Sequence, residues 1–237
     1  MTLIALLLAV AAPIDPHSFG NTDVVRPTHV ALDLTLDFDQ RVMHGSAELT
    51  LRYEDRARAQ VLDLDTEGLK VATVSDPASG RALPFALGPV APVLGQRLRI
   101  TLGTPLPEHV HIAYETSPSA SALQWLDPRQ TTSGRLPFLF TQNEAIHGRS
   151  WIPCMDSPGV RMTYEATVHA PASITVVMSA AQVSAEPNQG VFRFRMPQAI
   201  PSYLIALAAG EIAYKPISAR TGVYAEPAVL ELSLIHI

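Results

Sequence analysis

The chain has 237 residues, 47% of them apolar and 16% charged, with 17 Lys and Arg against 22 Asp and Glu for a formal charge of −5. That balance excludes a disordered tail, and with no basic stripe to neutralise phosphates, nucleic acid is not an expected partner. A single cysteine, Cys154, excludes an internal disulfide and any Cys-x-x-Cys zinc site.

Residues 1–12 are dominated by Leu, Ala, Ile and Val and end at Pro13. Such a run is too short to span a bilayer, which takes roughly 20 residues. It has the length of the apolar core of a secretory signal, and Val10, Ala11 and Ala12 offer a cleavage site. No Lys or Arg precedes it. Segment 1–13 is therefore a signal candidate: cleavage would place the protein in the periplasm or outside the cell, and otherwise it stays in the cytoplasm.

From there the periodicity is two. Val30, Leu32, Leu34, Leu36 and Phe38 alternate with Ala31, Asp33, Thr35 and Asp37, the pattern of a half-buried strand. Ala47, Leu49, Leu51 and Tyr53 continue it in a second strand, with residues 40–45 as the hairpin loop. Further strands are predicted over 62–65, 69–75, 98–102, 110–114, 162–169, 174–179 and 192–196. The unbroken apolar run 203–209 reads as a strand covered on both faces. Proline-bearing stretches 76–84, 88–92 and 104–107 read as turns. The predicted fold class is all-β, with large antiparallel sheets packed face to face.

Residues 116–158 break this regularity, yet they hold both tryptophans, Trp125 and Trp151, as well as Cys154 and His147. Long irregular segments inside compact domains usually carry function. Within it runs Thr141-Gln142-Asn143-Glu144-Ala145-Ile146-His147-Gly148-Arg149. On an extended segment, an amide and a carboxylate two residues apart point to one side. Gln142 and Glu144 so placed hold an ammonium group; alternatively Glu144 is a loop carboxylate paired with Arg149.

Other candidates are weaker. His147, beside a glycine, reads as a structural hydrogen-bonding group rather than a base or ligand. His109 and His111 share a strand face at a spacing that suits a metal, but position indicates no third ligand. Cys154, flanked by Pro153 and Met155, lacks the electropositive surround of a reactive thiol. No Gly-x-Ser-x-Gly, phosphate-binding glycine loop or His-Glu-x-x-His occurs in the sequence.

Several spaced motifs carry a resemblance. Ser121-Ala122-Leu123-Gln124-Trp125-Leu126, the segment from Thr141 to His147, and Trp151-Ile152-Pro153-Cys154-Met155-Asp156-Ser157-Pro158 are three of them. Met178-Ser179-Ala180 and Tyr203-Leu204-Ile205-Ala206-Leu207 add two more. Together they resemble the N-terminal domain of the aminopeptidase N family of zinc metallopeptidases, in its leukotriene A(4) hydrolase-like branch.

The resemblance implies a saddle-like, all-β domain over 14–231 that caps a separate catalytic domain. It implies zinc in the full-length enzyme, on a downstream His-Glu-x-x-His helix, and none bound by this chain, which alone would be inactive. It assigns substrate contact to Gln142, Glu144 and Ala145, with Glu144 gripping the free α-amine of a peptide. Leukotriene A(4) hydrolases carry glutamine at that position, so Glu144 favours peptides over a lipid epoxide. Arg149 and Asp156 then become structural partners of the loop.

After Glu226 the resemblance fades, and residues 232–237 read as an aberrant tail on a chain whose catalytic domain is missing. The competing expectation is a free-standing, non-catalytic β-sandwich binding module.

Overall fold

The computed structural model describes residues 15–233; segment 1–13 and tail residues 234–237 lie outside them. Strand β1 (Val25–Asp37) turns into β2 (Val42–Tyr53), followed by β3 (Val61–Thr66), β4 (Lys70–Asp76) and the short β5 (Arg81–Ala82) and β6 (Phe85–Leu87). Then come β7 (Gln96–Thr101), β8 (His109–Glu115), β9 (Leu123–Leu126) and β10 (Phe138–Thr141). After a long loop follow β11 (Arg161–His169), β12 (Thr175–Met178), β13 (Ala181–Glu186), β14 (Val191–Pro201) and β15 (Leu207–Gly210). A hairpin of β16 (Ala213–Pro216) and β17 (Gly222–Ala225) leads to a short helix α1 (Pro227–Ser233).

The largest sheet has eight strands in the order β13-β14-β11-β1-β2-β8-β4-β5. A four-stranded sheet, β12-β15-β10-β9, and a three-stranded one, β3-β7-β6, accompany it. The all-β expectation holds, with one correction: β1 and β11 pair in parallel, so the large sheet is mixed rather than antiparallel throughout. A parallel neighbour needs a long crossover, and residues 38–160 supply it.

Alternation explains the large sheet. Val30, Leu32, Leu34 and Leu36 of β1 are buried, while Ala31, Asp33 and Thr35 line the other face. The buried sides of β1, β2, β8 and β11 join those of β3 and β7 in one core, which also takes in Trp151, Ile152, Cys154 and Met155 from the long loop. Burying such a side chain contributes about 1.5–3 kcal/mol before the entropy of ordering it is subtracted.

Three local expectations change. The hairpin loop is shorter than 40–45, because β2 begins at Val42. Gly45 therefore lies within β2, and a Cβ there would sit 1.8 Å from the Asp33 carbonyl oxygen. The run 203–209 is not one covered strand: Ser202–Leu204 forms a 3-10 turn, and only Leu207–Gly210 pairs as β15. Hydrogen bonding decides this, since Ile205 N donates to Ser202 O at 3.0 Å and the Asn143 amide donates to Ile205 O at 2.6 Å. Strands β9 and β10 also lie inside the segment expected to be irregular.

Candidate functional site

Strand β10 delivers the chain to the candidate loop. Thr141 Oγ1 accepts from Leu207 N at 3.0 Å, and Gln142 N donates to Ala122 O at 2.9 Å, so the loop starts from a fixed point. The backbone then turns instead of running extended, with His147 N donating to Asn143 O at 2.8 Å. Gln142, Glu144 and Ala145 are exposed, whereas Asn143 between them is buried. The turn alters the expected pairing: the Gln142 side-chain oxygen accepts from Glu144 N at 3.2 Å. Gln142 thus braces the loop from within, and among the described residues no donor pairs with the Glu144 carboxylate.

Below this tip everything is bonded. The Asn143 amide donates to Ser202 O and Ile205 O, and its oxygen accepts from Trp151 Nε1 at 2.9 Å. Arg149, fully buried, does not reach Glu144. Its Nε donates to Asp156 at 3.2 Å, Nη1 to Leu94 O at 2.7 Å, and Nη2 to His17 O at 2.7 Å and Asp156 O at 3.2 Å. The pairing of Glu144 with Arg149 is thereby excluded, and Arg149 and Asp156 are structural partners.

A second buried carboxylate completes the anchor. Asp65, on β3, lies 3.8 Å from Arg149 Nη2 and accepts from Ser18 Oγ at 2.6 Å, Phe19 N at 2.7 Å and Asp156 N at 2.8 Å. Burial pushes its carboxyl above the ordinary value, against the opposing pull of Arg149 and these donors. Asp156 also accepts from Ser202 Oγ, which ties the anchor to the turn that Asn143 holds. Cys154, fully buried beside this network, has its thiol pushed well above 9.0 by burial, then by Asp156 and Asp65, as befits an inert packing residue.

His147 is held from the side. Its Nδ1 lies 2.7 Å from Ser121 Oγ, which donates to Glu67 at 2.8 Å. A serine hydroxyl has one proton, so Nδ1 carries its own and donates. His109 and His111 do share a face of β8, but His109 faces Thr50 at 3.3 Å and Glu48 at 3.5 Å. Among the described residues, no group of three His, Cys, Asp or Glu side chains could hold a metal ion.

Asp65, Asn143, Ser202 and the Glu67–Ser121 contact were not singled out in the sequence. The one available signal was Asp65 itself, a carboxylate in a strand that Leu62 and Leu64 mark as core.

The Peptidase M1 N-terminal domain profile matches residues 26–204. The chain belongs to that family. It is 36% identical over 229 residues to leukotriene A-4 hydrolase of Xenopus laevis, a match over 93% of this chain and 37% of that protein. It is also 36% identical to leucine aminopeptidase 2 of Yarrowia lipolytica, over 90% of this chain and 32% of the relative. Among solved structures, native leukotriene A4 hydrolase from Saccharomyces cerevisiae superposes with a TM-score of 0.84 at 32% identity, over 94% of this chain and 35% of that one. An M1 zinc metallopeptidase from Deinococcus radiodurans shares the fold, with a TM-score of 0.64 at 17% identity over 85% of this chain and 46% of that one. This M1 N-terminal domain chain thus spans about a third of the length of the curated relatives it matches.

Proposed function

We propose that this chain supplies the amine-binding part of an aminopeptidase site, in which Glu144 receives the α-ammonium group of a peptide substrate. Gln142 braces the loop and Ala145 keeps its tip open. The observation that carries the reading is the contrast across two residues: an exposed carboxylate on a loop whose base is buried and fully bonded. Holding the ammonium at a fixed point sets where the first peptide bond lies and restricts cleavage to free N-termini. The relative named leucine aminopeptidase 2 supports peptides as the substrate class, as does the carboxylate at 144 in place of the glutamine that the resemblance assigns to leukotriene A(4) hydrolases.

Among the described residues no group of three His, Cys, Asp or Glu side chains fits a zinc site, so the zinc of M1 metallopeptidases is assigned to none of them, and no step is derived through it. The catalytic domain is the proposed partner. Phe140 on β10 and Leu204 in the turn held by Asn143 are 39% and 48% exposed, and flank the loop as apolar contact surface for it.

The test is a fusion of this chain to the C-terminal two thirds of the Saccharomyces cerevisiae relative, assayed on aminoacyl-arylamides. A charge-assisted hydrogen bond contributes about 1.5–3 kcal/mol, so Glu144→Gln should raise KM roughly tenfold to a hundredfold in a folded, active fusion. An unchanged KM would remove Glu144 from substrate binding.

A further inference from the structure

The other face of the large sheet carries a feature that the amine loop does not use. A cavity of about 560 Å³ opens there, across β14, β11, β1, β2 and β8. Register builds it. Arg195 of β14 stands opposite Glu165 of β11, Glu165 beside Ala31 of β1, Ala31 opposite Glu48 of β2, and Glu48 opposite His111 of β8. The short side chain of Ala31 makes the floor. Glu165 and Glu48 rise on either side of it, two strand spacings or roughly 10 Å apart at their backbones.

Most charges around this cavity are already satisfied. Arg193 pairs with Glu186 at 2.6 Å, Asp33 with His169 at 3.1 Å, and Glu48 lies 3.5 Å from His109. Arg195 and Glu165 are the exception. They are directly opposed in the ladder, where neighbouring side chains stand about 5 Å apart, yet among the described residues neither forms an ion pair or a side-chain hydrogen bond. Both line the cavity from its solvent-exposed side, and half-buried His29 on the same face feels Glu165, Arg195 and Glu48 together.

Charge balance selects the ligand. Carboxylates repel a polyanion and guanidiniums repel a polycation, whereas a molecule with both charges a few ångströms apart satisfies the two unpaired groups at once. Val183, 65% exposed at the rim, adds apolar contact.

We propose that this cavity binds a free α-amino acid with an apolar side chain, its carboxylate on Arg195, its ammonium on Glu165 and its side chain along Val183. The site is separate from Glu144 and does not depend on the aminopeptidase reading.

The experiment is an NMR titration of the amide-labelled full chain with L-leucine, L-leucinamide and 4-methylpentanoate. L-leucine should give saturable shifts centred on Ala31, Glu165 and Arg195. Each analogue, lacking one charge, should bind at least tenfold more weakly. Arg195→Gln and Glu165→Gln should each weaken L-leucine at least tenfold with an unaltered folded spectrum. Shifts that do not saturate, that centre on residues 142–145, or that leucinamide reproduces at equal affinity would overturn the proposal.

Discussion

Two halves of one loop obey opposite rules. From Arg149 to Ser157 nearly every residue is buried, and the charged groups are surrounded by partners drawn from distant segments: His17, Ser18, Phe19, Asp65, Leu94 and Ser202. From Gln142 to Ala145 the side chains face solvent, apart from Asn143, and among the described residues the Glu144 carboxylate has no donor. The difference shows how a loop can be both irregular and well placed. Polar groups that cannot pair within a sheet are paired below, and the tip inherits its position from them.

Removing the anchor should have the largest effect. Arg149→Met leaves the buried Asp65 and Asp156 without their guanidinium, so urea denaturation near pH 7 should show a loss of about 3–5 kcal/mol. A loss below about 1 kcal/mol would mean that the two carboxylates do not depend on it. Asn143→Ala strips partners from Trp151 Nε1 and from the Ser202 and Ile205 carbonyls. It should cost about 1–3 kcal/mol in the same measurement, and mobilise the loop tip in amide exchange.

Alkaline pH tests burial by another route. Burial raises the Cys154 thiol above 9.0 and the Tyr53 hydroxyl to about 12. The unfolded chain releases these protons first while the fold retains them, so stability is intact below the unfolded values and falls as pH rises past about 9 to 10. Tyr53→Phe should flatten the fall between pH 10 and 12, read from urea midpoints across that range. Cys154 should resist alkylation until the protein unfolds.

The smallest effect on stability belongs to the tip. Glu144→Gln should shift the urea midpoint by an amount worth less than about 0.5 kcal/mol, as for exposed sites generally, while altering KM in the fusion. A large destabilisation there would erase the contrast between the two halves.

Much of this was legible in the sequence. The alternation of β1, β2, β8 and β11 marks which side chains face the core, because a strand buried on one face must alternate. Other strands were not legible. β13 is an exposed edge strand, paired to β14 by backbone bonds that leave no apolar pattern, and β9 and β10 are four residues each, too short for a period to show. Glu144 and Gln142 were visible as candidates, but Gln142's inward brace was not, since it depends on the turn.

What the sequence determined by itself was the β class, the buried faces of the long strands and the segment proposed to carry the site. These follow from local side-chain chemistry and a period of two. The tertiary structure alone decided that β1 and β11 run parallel, that Arg149 serves Asp156 and Asp65 rather than Glu144, and that Arg195 faces Glu165. Each of those joins residues far apart in the chain, where strand register and the need to satisfy buried charge, rather than local pattern, choose the partner.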